Sequence, residues 1–246
     1  MFDSYAEVFE LRACEYHSAM AEWPRARDAE FRSVVVPFDD VSDGLLCDMP
    51  AGGGYLARYL RPGLRYVGVE PADGFFIAGD DPFDRVASSL DSVALADRSV
   101  DHIVSLAGLH HENDLARIFG EMRRIIRPGG RVVISDAGAG TPPASFLNGF
   151  VARHNPQGHD GRFFDQSTPG LLEAAGLRIV EDALTDVPWS FDSRLGAGAF
   201  CKRLFWLPDV ATEAVAEALD REIGFDEAAG QVRLKWALRR FICGAD

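Results

Sequence analysis

Asp48 stands between an apolar run and a glycine-rich turn in Leu45-Leu46-Cys47-Asp48-Met49-Pro50-Ala51-Gly52-Gly53-Gly54-Tyr55-Leu56. That order predicts a buried strand, a tight turn and the start of a helix. Glycines let a backbone approach a ligand, and a helix N-terminus offers free N–H groups. A carboxylate inside such a turn would repel a pyrophosphate. It suits a nucleotide-type ligand that carries a cationic group, an ammonium or a sulfonium. His110 and His111 form a second set, because imidazoles titrate near neutrality as a general base must. Either histidine is equally well read as a satisfied core residue. Asp136 ends another apolar run, where it either orients a histidine or caps the following loop.

Alternating strands and helices must position these groups. Gly44–Cys47, Tyr66–Glu70, Arg85–Ser88, Val100–Leu106 and Arg131–Asp136 read as five strands. Leu115, Ile118, Phe119, Met122, Ile125 and Ile126 make a one-faced stripe, which predicts a helix over Asn113–Ile126. Arg127-Pro128-Gly129-Gly130 turns the chain after it. A short helix is expected at Tyr55–Leu60, and residues 71–82 have weak helical character. Apolar strands alternating with amphipathic helices imply a mainly parallel sheet with helices on both faces. Asp3–Val36 reads as two helices, the second from Arg25, with Tyr5, Val8, Phe9, Ala13, Tyr16 and Met20 along the first. Beyond Gly138 the pattern weakens. Helices are expected at Ser145–His154, Gln166–Ala175, Leu195–Trp206 and Asp209–Gly224, with strands at Leu177–Glu181 and Val232–Cys243.

Composition narrows the class. The formal net charge of −13 argues against a nucleic-acid partner, which needs a basic face. No apolar run approaches the roughly 20 residues of a membrane span. The acidic N-terminus lacks the basic start of a secretory signal. Cys14, Cys47, Cys201 and Cys243 are scattered and read as free thiols of a reducing compartment. A cytoplasmic location follows as the expectation. His154, His159, Asp160 and Asp165 have metal-compatible side chains without a metal-site spacing, so no metal is expected.

With these elements placed, the chain resembles a class I methyltransferase dependent on S-adenosyl-L-methionine (SAM). The resemblance covers about residues 43–137. It rests on the acid–glycine turn, on Glu70 at the end of the second strand, and on Asp97-Arg98-Ser99-Val100-Asp101, Leu109-His110-His111 and Arg127-Pro128-Gly129-Gly130-Arg131 in that order. It implies an α/β, Rossmann-like, mainly parallel seven-stranded sheet. Residues 1–42 would be a helical lid, 43–137 the SAM-binding core, and 138–246 a substrate-side helical insertion with the C-terminal strands. Asp48 would face the methionine amino group, and Gly52 and Gly54 would pass beneath the ligand. Glu70, followed by Pro71, would accept the ribose hydroxyls. Ser89, Leu90 and Asp91 fall where the family places adenine contacts, and Leu106 and Ala107 would border the methyl group. Pro50 and Ala51 depart from the family's turn, since Pro50 removes one N–H donor. Ser89 stands where an acid usually faces adenine.

The resemblance further implies methylation of a small-molecule acceptor at O or N, in secondary or specialised metabolism. His110, His111 and Asp136 are the candidate catalytic set. Tyr16, His17, Met20, Trp23, Trp189 and Phe200 are candidates for the acceptor pocket, with Phe191, Phe205 and Trp206 in its apolar roof. A homodimer stays open. Two alternatives remain: a SAM-consuming enzyme that cyclises or eliminates on SAM to give methylthioadenosine, and a SAM-fold binding protein without turnover.

Overall fold

A computed structural model describes residues 5–78, 84–228 and 230–246. Asp3 and Ser4 of the expected first helix, and residues 79–82, lie outside these. Ten strands are formed among the described residues: β1 (Gly44–Asp48), β2 (Leu64–Glu70), β3 (Asp84–Ala87), β4 (Val100–Leu106), β5 (Ile126–Asp136), β6 (Arg178–Asp186), β7 (Trp189–Phe191), β8 (Phe225–Ala228), β9 (Gln231–Leu234) and β10 (Ala237–Ala245). Seven of them build the main sheet in the order β3-β2-β1-β4-β5-β10-β6. β10 runs antiparallel between β5 and β6, and the remaining pairings are parallel. This is the expected Rossmann-like sheet.

Leu46, Cys47, Val69, Ile103, Val104, Val132, Val133 and Ile134 are fully buried. Helices cover both faces, so these strands read as continuous apolar runs rather than alternating ones. The helix α3 (Leu115–Ile125) starts where the Asp114 carboxylate accepts from Arg117 N. It turns Ile118, Phe119, Met122 and Ile125 into the core. β6 is an edge strand with alternating exposure. Its pairing with β10 carries it to Asp186, beyond the expected Glu181.

Three expectations change. The expected helix after β1 is a five-residue 3-10 turn, Tyr55–Tyr59, stopped at Arg61-Pro62-Gly63. β5 begins at Ile126, directly after α3, because Ile126 already pairs with Val100 of β4. The expected last strand is two strands. Trp236 folds inward and stacks on Trp189 at 4.2 Å between ring centroids, which breaks the strand at Lys235-Trp236. The first half, β9, leaves the main sheet and pairs with the short strands β7 and β8.

The helices α1 (Tyr5–Glu22) and α2 (Asp28–Val35) precede the sheet. In the second half, α4 (Pro142–Phe146) runs through a π-helical segment, Leu147–Val151, into α5 (Ala152–His154). It is followed by α6 (Thr168–Ala174), α7 (Arg194–Leu204) and α8 (Thr212–Glu222).

Candidate active site

β1 and β4 lie side by side, yet the chain leaves them toward opposite halves of the sheet. Such a switch point opens a crevice at the carboxyl ends of the strands. Asp48 ends β1 there, and Leu106 and Ala107 end β4. A cleft is lined by Asp48, Pro50, Ala51, Gly52, Leu106 and Ala107 beneath Tyr5, Tyr55 and Phe75. Gly52 and Gly54 have φ of +53° and +69°, a conformation that favours glycine. The Gly52 N–H donates to Glu70 Oε2 at 2.6 Å, and Ala72 N–H to Oε1 at 2.8 Å. The Tyr5 hydroxyl, from α1, donates to Glu70 Oε2 at 3.3 Å. Tyr66 Oη donates to Asp48 Oδ2 at 2.7 Å. Pro50 reaches the loop after β4 so closely that a Cβ on Gly108 would lie 2.4 Å from its Cγ. The departure at Pro50 is thus matched by a glycine across the crevice.

Asp48 and Glu70 are both buried, and neither forms an ion pair among the described residues. Burial pushes the Asp48 carboxyl up to about 7, against the opposing hydrogen bond from Tyr66. Burial likewise takes Glu70 to about 7 despite its three donors. Two desolvated acids at a glycine turn fit a ligand with an ammonium or sulfonium group and a diol, as SAM has. Within the turn, Gly52 N serves Glu70 and Gly54 N serves Ala51 O.

A second cleft shares Phe9, Tyr16, Arg27 and Ala107 with the first. His110, in the turn after β4, places Nδ1 2.6 Å from Asp136 Oδ1. Asp136 also accepts from His110 N and Ala137 N, which fixes the carboxylate at the end of β5. An ionised carboxylate only accepts, so His110 Nδ1 carries the proton and Nε2 presents a lone pair. His111 and His159 stand beside it, with ring centroids 4.1 and 5.5 Å from that of His110. Burial holds both well below the usual histidine range, aided by the other imidazoles and by Arg12.

His159 comes from the loop after α5. The loop is tied to the sheet edge by Arg162 N to His110 O and Phe164 N to Ala137 O. Asn148, in the π-helical segment, accepts from His159 Nδ1 at 2.8 Å and exchanges two further bonds with Gly161. Ligand atoms of His110, His111 and His159 lie within 4.8 Å of one another, a set able to hold a divalent cation that sequence spacing did not announce. The Arg12 guanidinium acts on two of these rings and opposes a second cation.

Several expected residues lie elsewhere. Ser89 is exposed, Leu90 packs in the core beneath α3, and Asp91 pairs with Arg117 at 3.2 Å; none lines the first cleft. Pro71 is half-buried outside it. Tyr16, Trp189 and Phe205 line the second cleft. His17 instead bonds the Tyr55 hydroxyl at 2.9 Å, Met20 and Phe191 are core, and Trp23 and Phe200 pack on each other behind Trp189. Trp206 is likewise off the cleft lining.

Two buried arginines went unread. Arg27 and Glu30 form a bidentate pair at 2.7 and 2.6 Å, and Trp189 Nε1 donates to the same carboxylate at 2.6 Å. Arg12 lies on the apolar stripe of α1, between Phe9 and Tyr16. A cation within a stripe of aromatics was the signal for it.

Residues 47–134 match the methyltransferase domain family. An uncharacterised methyltransferase of Mycobacterium sp. (strain KMS) is 38% identical over 95 residues, which are 35% of this chain and 37% of that protein. The chain therefore matches little more than a third of that curated relative's length. Among solved structures, a SAM-dependent methyltransferase from Thermotoga maritima superimposes with a TM-score of 0.62 at 17% identity, over 98% of this chain and 100% of that one. The [4+2]-cyclase SpnF does so with a TM-score of 0.60 at 17% identity, over 98% and 95%. Residues 47–134 thus carry a methyltransferase-family domain, within a fold shared with a SAM-dependent methyltransferase of known structure.

Proposed function

We propose that this protein transfers a methyl group from SAM to the oxygen or nitrogen of a small-molecule acceptor, in secondary or specialised metabolism. The observation that carries the reading is the His110–Asp136 pair in a cleft that shares a wall with the acid-lined one. SAM, when bound, supplies a methyl group already activated on a sulfonium, so the protein's task is mostly positioning and exclusion of water. Asp48 and Glu70 would hold the amino group and the ribose. Ala107 lines both clefts, and Leu106 lines the first. His110 Nε2 takes the proton of a neutral nucleophile, and Asp136 stabilises the resulting imidazolium. Trp189, Trp236 and Phe205 stack as an apolar wall that keeps the proton transfer out of bulk water.

Calorimetry with S-adenosylhomocysteine tests the donor half. Binding that disappears in the doubly neutralised variant Asp48→Asn/Glu70→Gln supports it, and undiminished binding in that variant rejects it. Turnover of methyl-labelled SAM against a panel of hydroxy and amino compounds tests the acceptor half. The cyclase among the structural neighbours keeps a second reading in view, in which SAM or another substrate is cyclised. Methylthioadenosine as product, in place of S-adenosylhomocysteine, would favour it.

A further inference from the structure

Arg12 is only 4% exposed, yet its guanidinium is barely satisfied. Nη2 donates to the Leu204 carbonyl at 3.0 Å. Nε is buried without a partner, and no bond is made by Nη1 among the described residues. The ring of Phe9 lies 5.0 Å from the cation. No carboxylate forms an ion pair with it among the described residues. The acids that line the same cleft are already engaged, Glu30 by Arg27 and Asp136 by His110. A buried charge is costly unless it is paired. A cleft that carries one unpaired cation and no unpaired acid is built to receive an anion.

We propose that the acceptor carries a carboxylate, that Arg12 binds it, and that a flat apolar body lies against Trp189, Trp236 and Phe205. This rests on the methyl-transfer reading above and names its substrate class. A carboxylate matches the planar guanidinium and can take the unused N–H donors. The aromatic rings supply the apolar contact that small-molecule sites use for most of their area. Arg12 lies on the same cleft as His110, so an acid held there has its other end free to reach Nε2. The amphipathic shape is thus an anionic head, an aromatic or otherwise flat body, and a nucleophilic hydroxyl or amine.

The test uses the full chain saturated with S-adenosylhomocysteine. Benzoate, 4-hydroxybenzoate and indole-3-acetate are compared with their primary amides by ligand-detected NMR and calorimetry. The acids are expected to bind at least about tenfold tighter than the amides, the size of one lost charge-assisted bond. Arg12→Met and Arg12→Gln should erase that preference, Arg12→Lys should keep part of it, and S-adenosylhomocysteine affinity should be unchanged in all three. Amides that bind as well as acids, no acid binding at all, or a preference that survives in both Arg12→Met and Arg12→Gln would overturn the proposal. Failure of S-adenosylhomocysteine to bind, with the acid preference intact, would instead remove the methyl-transfer reading alone. Both neutral variants are expected to fold, because each removes an unpaired buried charge. Their melting temperatures report that independently.

Discussion

The two clefts at the sheet edge carry opposite unpaired charge. In one, Asp48 is buried, with Glu70 behind it, and neither has an ion-pair partner among the described residues. In the other, Arg12 is buried without an ion-pair partner among the described residues, since Glu30 and Asp136 are engaged elsewhere. Between them lies a control, Arg27 with Glu30, where a buried cation has its full complement of partners. Burial drives Arg12 down to about 10, whereas the Glu30 carboxylate outweighs burial and drives Arg27 upward. The same residue type, on α1 and just before α2, is thus structural in one place and poised for a ligand in the other. Unpaired buried charge marks where a charged ligand is expected.

The sharpest way to break this contrast is to remove each partner. Glu30→Gln should cost about 3–5 kcal/mol of stability, because it strands Arg27 and the Trp189 N–H in the core. Arg12→Met should leave stability unchanged or higher. Chemical denaturation of the two variants checks both. Equal losses would mean that Arg12 has a structural partner after all.

Next in size is the donor cleft. Asp48→Asn with Glu70→Gln should weaken S-adenosylhomocysteine binding by roughly 100-fold or more, since hydrogen bonds to charged groups are worth about 1.5–3 kcal/mol each. The same variant should melt higher than the unaltered protein, because two desolvated charges are gone. A variant that loses binding and stability together would mean that the acids hold the fold rather than a ligand.

The legible part of the molecule was the part with local rules. The strands from β1 to β5 announce themselves as short apolar runs, and α3 by its stripe and its Asp114 cap. Asp48, Glu70, His110 and Asp136 could be placed because each ends or closely follows a strand at the same sheet edge. His159 could not, because a loop and a π-helical segment bring it back across Asn148. Arg12 is hidden for a different reason: a helical stripe is defined by its apolar members, and a cation among them stands outside the pattern. β7 and β8 escaped because strands of three or four residues have no period to detect, and the break between β9 and β10 escaped because Trp236 makes it through a contact with Trp189 distant in sequence. The adenine-side residues Ser89 to Asp91 were placed by family position alone. In the fold Ser89 is exposed, Leu90 is core and Asp91 pairs with Arg117 of α3.

The pH dependence sharpens the comparison further. Asp48 and Glu70 titrate near 7 when folded and near the ordinary carboxylate value of about 4 when unfolded. Between about pH 4 and about pH 7 the folded state holds protons that the unfolded state has released, so these groups make stability fall as pH rises through that window. Donor binding needs the ionised acids and should strengthen through the same window, levelling off above about 7. Melting temperature and S-adenosylhomocysteine affinity should therefore run in opposite directions. Subtracting the Asp48→Asn/Glu70→Gln profile isolates the two acids from every other titrating group. Parallel slopes after that subtraction would refute the assignment.

The smallest effect expected comes from Tyr66. Its hydroxyl favours the ionised form of Asp48 against burial and against the neighbouring charge of Glu70. Tyr66→Phe removes that donor and should raise the Asp48 carboxyl further. The rise of donor affinity with pH should then shift alkaline by about one unit, since 1.36 kcal/mol corresponds to one pKa unit. Well above that midpoint the two proteins should approach one another, because Asp48 is ionised in both. Loss of affinity that is uniform across pH would mean that Tyr66 shapes the cleft rather than tuning its charge. A superimposable curve would mean that the ligand's own cation, not Tyr66, is what keeps Asp48 ionised in the complex.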